Sequence, residues 1–324
     1  MSPLQNEAQR IERRRVVLAL TGVQLAFATW SIVGKVTVSV VPPLSLVALR
    51  LMGGALFFAA VTLSAGRSLL PPRGVRMEVA LLAATGLVFN QVFFTVGLRY
   101  TSAIESSVLG STIPLFTVAY AVLSGREMGH AGLWRGLALA LAGALIVSRP
   151  QRLSLHDGHL RGNVLMLINS LSYSVYLVRG RNVMTRYGAA TVLPWMFWMA
   201  ALMVLPLGLP GIVLHSAQWA PRTWIAIAYV IAMPTAFAYS ANAYAMQRAS
   251  SSLVAVFVYL QPVLVIALAV TAGDPLAVWL GVPRPNEHLT PLLTAGMLCV
   301  LAGVWLSSRD RGAIDVPVEH HPQR

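Results

Sequence analysis

Long apolar runs alternate along the chain with short polar or basic breaks. The runs are about 17–25 residues long, the length that carries a helix across a bilayer. They lack the period-two alternation of barrel strands. A segment in lipid must satisfy its own backbone hydrogen bonds, so each run predicts a transmembrane helix. Ten such segments emerge, at roughly 16–40, 43–65, 77–98, 101–124, 133–148, 162–180, 190–214, 222–245, 251–272 and 290–307. Pro42-Pro43 divides the first two. A polar stretch from Arg149 to Arg161, holding Pro150, Asp157 and Gly158, divides the fifth from the sixth.

Two patterns recur in order. Tyr100-Thr101-Ser102-Ala103 is followed by Pro114, and Arg248-Ala249-Ser250-Ser251 by Pro262 at the same spacing, an offset of 148 residues. Gly136 through Leu141-Ala142-Gly143 returns as Gly296 through Leu301-Ala302-Gly303, offset by 160. The twelve extra residues are assigned to an insertion between Gly273 and Pro285. Five helices is an odd number, so a second copy enters the membrane from the opposite side. The expected fold class is therefore an all-α integral membrane protein of about ten transmembrane helices, arranged as two inverted five-helix repeats. Such repeats commonly hold a substrate near the midplane. The expected units are a cytoplasmic tail 1–15, a first repeat 16–148, an external linker 149–161, a second repeat 162–307 and a cytoplasmic tail 308–324.

Composition agrees with that class. The chain is 56% hydrophobic and 11% charged, against about 25% charged in soluble domains. A net charge of +13 would suggest nucleic acid in a soluble protein. Here the basic residues sit in the breaks, where they report topology, and no nucleic-acid partner is expected. With the N-terminus inside, sixteen arginines fall on the cytoplasmic side and six outside. Both termini are expected in the cytoplasm, in the plasma (inner) membrane. Trp134, Trp195, Trp198, Trp219, Trp224, Trp279 and Trp305 lie near helix ends, where indole rings prefer the interface; Trp30 lies near the middle of the first helix. Arg10 to Arg15 followed by Val16 has the charge order of a signal peptide. Its apolar run exceeds the about 7–15 residues of one, so an uncleaved first helix is expected. Cys299 is the only cysteine and makes no internal disulfide. The tail motif Glu319-His320-His321 reads as solvated, and no metal site is expected.

The sequence resembles the EamA-type transporters of the drug/metabolite transporter superfamily over residues 16–307. The resemblance rests on Pro42-Pro43 with Leu49-Arg50-Leu51, Leu98-Arg99-Tyr100-Thr101-Ser102-Ala103, Pro114-Leu115-Phe116, Gly125-Arg126-Glu127 and Gly136 to Gly143. The second half supplies Ser172-Tyr173-Ser174-Val175-Tyr176, Tyr239 to Tyr244, Tyr259-Leu260-Gln261-Pro262 and Glu287-His288-Leu289-Thr290-Pro291. It implies ten helices, cytoplasmic termini, and transport of metabolites, amino acids or drugs, often outward. The chain departs from the pattern at Gly273-Asp274, where the family's glycine-glutamate turn is displaced towards Glu287.

Charges within membrane helices are costly and mark function or pairing. Lys35, Arg50 and Glu105 lie about 7, 10 and 6 Å from the outer ends of their helices, in one depth band. Lys35 or Arg50 is expected to attract an anionic group such as a carboxylate, and Glu105 to accept a proton or a substrate amine. A fixed ion pair among the three, or snorkelling of Arg50, is the structural alternative. Uncharged polar and aromatic residues form the second candidate set for substrate binding: Trp30, Asn90, Gln91, Asn169, Tyr173, Tyr176, Tyr239, Asn242, Tyr259 and Gln261. By the repeat offset Gln91 corresponds to Tyr239. Amides within an aromatic wall suit an amphipathic organic solute better than a bare ion.

The expected function is secondary transport of small organic metabolites (amino acids, related metabolites or drugs), exporting them by alternating access. A passive channel or facilitator is the alternative, with a membrane-embedded enzyme a far more remote one. No G-x-x-x-x-G-K-[ST] loop is present, nor H-E-x-x-H, nor G-x-S-x-G, and the histidines fall in or near loops or the tail. No enzyme activity and no cofactor are expected. The expected partners are a small-molecule substrate and the lipid bilayer.

Overall fold

The computed structural model describes residues 3–66, 73–125, 131–147, 158–249, 251–284 and 289–309. Counted through their internal irregularities, ten helical segments make up these residues. They are α1 (Pro3–Thr37), α2 (Pro43–Ser64), α3 (Arg76–Tyr100), α4 (Ala103–Leu123) and α5 (Ala131–Val147). After them come α6 (Gly158–Tyr187), α7 (Ala189–His215), α8 (Pro221–Met246), α9 (Leu253–Leu280) and α10 (Pro291–Arg309). Among the described residues, seven of these are long and apolar enough to cross a membrane; α5 and α10 contain shorter apolar stretches.

Apolar surface faces outward in quantity. Only 28% of the apolar window of α7, and the same share of α9, is buried. Leu202, Leu207, Val213 and Leu214 on α7 and Val263 and Val270 on α9 are exposed. Water would make so continuous an apolar surface aggregate, whereas acyl chains solvate it. This is a multi-pass membrane protein.

Which helices meet follows a regular scheme. α5 lies along α10 and α2 along α7, the two most extensive helix contacts among the described residues. α3 packs on α6 and α1 on α8; α4 packs on α6 and α1 on α9. The α5–α10 contact depends on missing side chains. A Cβ on Gly303 would stand 2.5 Å from the Gly136 carbonyl oxygen, and one on Gly143 2.7 Å from that of Gly296. Both obstacles are backbone, so only glycine permits the approach.

Two irregularities recur at the sequence offset. π-helical turns occupy Ala84–Phe89 in α3 and Ala232–Phe237 in α8, 148 residues apart. α4 breaks after Gly110 and resumes at Ile113-Pro114, while α9 narrows to a 3-10 turn at Phe257–Tyr259 just before Pro262. Proline lacks a backbone donor and excludes the regular bond to residue i−4, which is why each interruption precedes one.

The structure departs from the sequence expectation at three helix ends. α1 starts at Pro3, so residues 3–15 are helical. α6 runs over Gly158–Tyr187, beginning inside the stretch assigned to the linker. α9 continues through a third π-helical turn, Ala269–Gly273, into Asp274–Leu280, and stops at Gly281 in the left-handed conformation. Most of the presumed 273–285 insertion is therefore helix. Linker positions 149–157, Arg67, Arg126-Glu127, Glu287-His288 and the tail from Asp310 lie outside the described residues. Trp219, between α7 and α8, is buried against Trp224, with ring centroids 5.3 Å apart.

Candidate functional site

A cavity lies between the helices at mid-length, bordered by α1, α3, α4, α6, α8 and α9, with one residue from α2. From α1 come Gln24, Phe27, Trp30 and Ser31, whose spacings of three and four put them on one face. α2 contributes Arg50. α3 adds Asn90, Gln91 and Phe94, next to its π-helical turn. α4 adds Ser106, Gly110 and Ile113 around its break. On α6, Asn169, Tyr173 and Leu177 repeat at every fourth position. α8 supplies Tyr239 and Asn242, and α9 supplies Val254, Val258 and Gln261.

The π-helical turn of α3 organises one wall. Such a turn frees backbone carbonyls, and side chains of other helices donate to them. Ser172 Oγ donates to the Thr85 carbonyl at 2.7 Å, Tyr239 Oη to that of Gly86 at 3.0 Å, and Asn169 Nδ2 to that of Asn90 at 2.7 Å. Gly86 also leaves room for Tyr176, whose ring would clash with a Cβ there. Deeper bonds join the wall: Asn242 Nδ2 donates to Tyr173 Oη at 3.0 Å, and Gln261 Nε2 to Gln24 Oε1 at 2.9 Å. The second bond ties α1 to α9 across the cavity.

Arg50 is held from two directions. Its guanidinium lies 4.1 Å from the Trp30 ring centroid, and its Nε donates to Thr235 Oγ1 at 3.2 Å. Thr235 is free to accept because its own proton goes elsewhere, to the Val230 carbonyl at 2.9 Å. That carbonyl is four residues before Pro234, which has no N–H to give it. The proline thus creates the vacancy that orients the threonine, and the threonine orients the arginine.

Of the candidates read from sequence, Trp30, Asn90, Gln91, Asn169, Tyr173, Tyr239, Asn242 and Gln261 border this cavity, as does Arg50. Lys35, Glu105, Tyr176 and Tyr259 do not. Lys35 Nζ donates to the carbonyls of Leu98 at 3.0 Å and Thr101 at 2.7 Å, closing the end of α3. Glu105 forms a capping box with Ser102 at the start of α4 and accepts from Thr101 Oγ1 at 2.7 Å, with His159 Nδ1 3.6 Å away. Both charges hold the α3–α4 junction, where exposed helix ends need a cation at the carbonyls and an anion at the N–H groups. Tyr176 packs behind the wall, 5.4 Å from Tyr173 and 6.4 Å from Tyr239 between ring centroids. Tyr259 falls in the 3-10 turn before Pro262.

Gln24, Phe27, Ser31, Phe94 and Ser106 were not singled out from sequence. Gln24 carried a usable signal, as an amide six residues before Trp30 in an otherwise apolar stretch. The cavity holds about 60 Å³ of space for water centres. At about 10–15 Å³ per water, that is roughly four to six water-sized groups. A larger solute needs side-chain displacement to enter.

A bundle of apolar helices around a polar, aromatic cavity defines a multi-pass membrane protein with a polar core. The model of the EamA-like transporter family matches residues 14–149 and again 160–309, and the chain belongs to that family. It is 27% identical over 244 residues to an "Uncharacterized transporter" of Archaeoglobus fulgidus, covering 75% of this chain and 80% of that protein. It is 26% identical over 274 residues to the "Uncharacterized inner membrane transporter YedA" of Escherichia coli, covering 81% and 85%. A solved crystal structure with 20% identity superposes with a TM-score of 0.63 over 92% of this chain and 97% of its own, a likeness of fold.

Proposed function

We propose that the protein is a secondary transporter of small organic solutes, exporting them across the inner membrane by alternating access between two inverted five-helix repeats. The observation that carries the reading is the cavity itself: helices of both halves enclose it, and polar groups interrupt an aromatic wall. That is the chemistry of a site for an amphipathic metabolite.

Several features support two repeats of opposite orientation. The family model matches the chain twice. The π-helical turns and pre-proline breaks recur at one offset. The helix contacts also respect the exchange of each helix with the one five places on. That exchange turns α1–α8 into α6–α3 and α4–α6 into α9–α1, and leaves α2–α7 and α5–α10 unchanged. An odd number of spans per copy then makes the copies antiparallel, with a site at their shared boundary. Both termini lie on the cytoplasmic side in this reading, as the arginine distribution favours.

Counterflow tests it. Purified protein in liposomes preloaded with an unlabelled solute should concentrate the labelled solute transiently and saturably. Screening amino acids and related metabolites this way finds the transported class, and inside-out against right-side-out orientation gives the direction. Linear, non-saturating flux without counterflow would make the protein a pore and refute alternating access.

A further inference from the structure

We infer that the cavity selects solutes by charge: Arg50 is a receptor for the carboxylate of a small organic monoanion, and organic cations are refused. The inference rests on the reading of the cavity as a solute site. Arg50 is 2% exposed and lies about 10 Å along α2 from its Pro43 end. Among the described residues no carboxylate pairs with it, and its one hydrogen bond uses Nε. The two terminal amino groups of the guanidinium, the prongs that grip a carboxylate in bidentate fashion, meet no acceptor among the described residues.

A buried cation in a membrane protein calls for an anion or an equivalent. The Trp30 ring face answers that need only in part, since its attraction is weaker than a paired charge. Among the described residues bordering the cavity there is no aspartate or glutamate, and Arg50 is the one with a full charge. The field inside is therefore positive, which concentrates anions and repels cations. A second group specifies the solute further. Gln91 is 2% exposed and borders the same cavity, and its Oε1 has no hydrogen-bond partner among the described residues while its Nε2 faces Tyr239 Oη at 3.4 Å. A buried acceptor in this condition is satisfied by a solute hydroxyl or N–H. The solute class is thus a small carboxylate bearing a neighbouring hydroxyl, as in a 2-hydroxy acid.

Acetate, acetamide and acetamidinium provide the test, because they share four heavy atoms and differ in charge, and they fit the space available. Binding of each 13C-labelled probe to full-length protein in nanodiscs is measured by NMR line broadening. Acetate should bind at least tenfold more tightly than acetamide, and acetamidinium should not bind. Arg50→Gln should abolish acetate binding, and Arg50→Lys, which keeps the charge without the fork, should retain part of it. Glycolate should bind more tightly than acetate, and Gln91→Leu should erase that advantage. Equal binding of acetate and acetamide in the wild-type protein would overturn the inference without any variant, as would acetamidinium binding or acetate binding that survives in folded Arg50→Gln. Counterflow of neutral solutes without charge discrimination would sink this inference and leave the transport reading standing. Acetate binding that depends on Arg50, with no counterflow of any solute, would do the reverse.

Discussion

Replacing Thr235 by valine removes a hydroxyl and keeps the shape of the side chain, so it isolates the hydrogen bonds through which α8 holds Arg50. Two bonds are lost. One leaves the Val230 carbonyl without its substitute donor, and the other leaves Arg50 Nε without an acceptor. Interhelical hydrogen bonds in membrane proteins average about 0.6 kcal/mol and reach about 1.7 kcal/mol. A hydrogen bond to a charged group is worth more, about 1.5–3 kcal/mol. Together the loss is about 2–4 kcal/mol, most of it passing through the arginine. A double-mutant cycle separates the shares. In an Arg50→Met background, Thr235→Val should cost only the carbonyl share, about 1 kcal/mol, which gives a coupling of about 1–2 kcal/mol. Equilibrium unfolding in mixed detergent micelles, followed by circular dichroism, reads all four corners. Independent sites add to within about 0.3–0.5 kcal/mol. A coupling inside that margin would show that Thr235 does not hold Arg50 and would refute the chain of cause from Pro234 to the cavity.

Other substitutions test the remaining structure. Lys35→Met should lower stability by about 2 kcal/mol or more, because two α3 carbonyls lose a charged donor, while leaving acetate affinity within about twofold of wild type. Gly303→Leu should abolish a monodisperse peak in size-exclusion chromatography, since its side chain would start 2.5 Å from the Gly136 oxygen; a normal elution profile would mean that α5 and α10 are not so closely apposed. Arg248 pairs with Glu12 at 2.6 Å and covers the Tyr244 ring at 3.9 Å, tying the start of α1 to the end of α8. Both partners are about 40% exposed, so Arg248→Ala should change stability by less than about 1 kcal/mol. It should nonetheless speed labelling of a cysteine placed at Val254, in a background with Cys299 replaced, by loosening that end of the cavity; unchanged labelling would show that the pair gates nothing.

Much of the fold was legible because the bilayer imposes one period and one length on every spanning segment. What escaped were helix ends. Gly273-Asp274-Pro275 reads as a turn, yet the π-helical turn before it lets the chain continue, and Pro275 falls in the first turn of the next piece, where its missing donor is tolerated. The candidate site was legible in its polar residues and less so in its charges. Depth alone cannot separate Lys35, Arg50 and Glu105, which are similarly placed along their helices. Direction and neighbours separate them. Ser106, Gly110 and Ile113 share a face of α4 bordering the cavity, and Glu105 is turned about 100° from Ser106. Lys35 follows Ser31 by one turn on the same face of α1, but by that level it has reached the end of α3 and its free carbonyls. Tyr176 is displaced in the same way from the stripe of Asn169, Tyr173 and Leu177.

The scaffold features recur at the 148-residue offset and the chemistry does not. Each π-helical turn is a place where a helix gives up regular bonding and takes partners from another helix. In α3 the vacated carbonyls accept from Ser172, Tyr239 and Asn169. In α8 the vacancy is filled internally by Thr235, whose spare lone pair then takes Arg50. The 148-residue offset sets Arg50 against Trp198, so the second half has no matching cation on α7. Equivalent backbones thus serve different ends: one turn ties the two halves together, and the other aims a single charge into the space between them. In a rocking bundle, a solute anion bound to Arg50 would remain with α2 of the first half, while the α6 and α8 side chains slid past it. The bonds from Tyr239 to Gly86, Asn169 to Asn90, Ser172 to Thr85 and Arg50 to Thr235 join α3 and α2 to α6 and α8, so such a motion would have to break them.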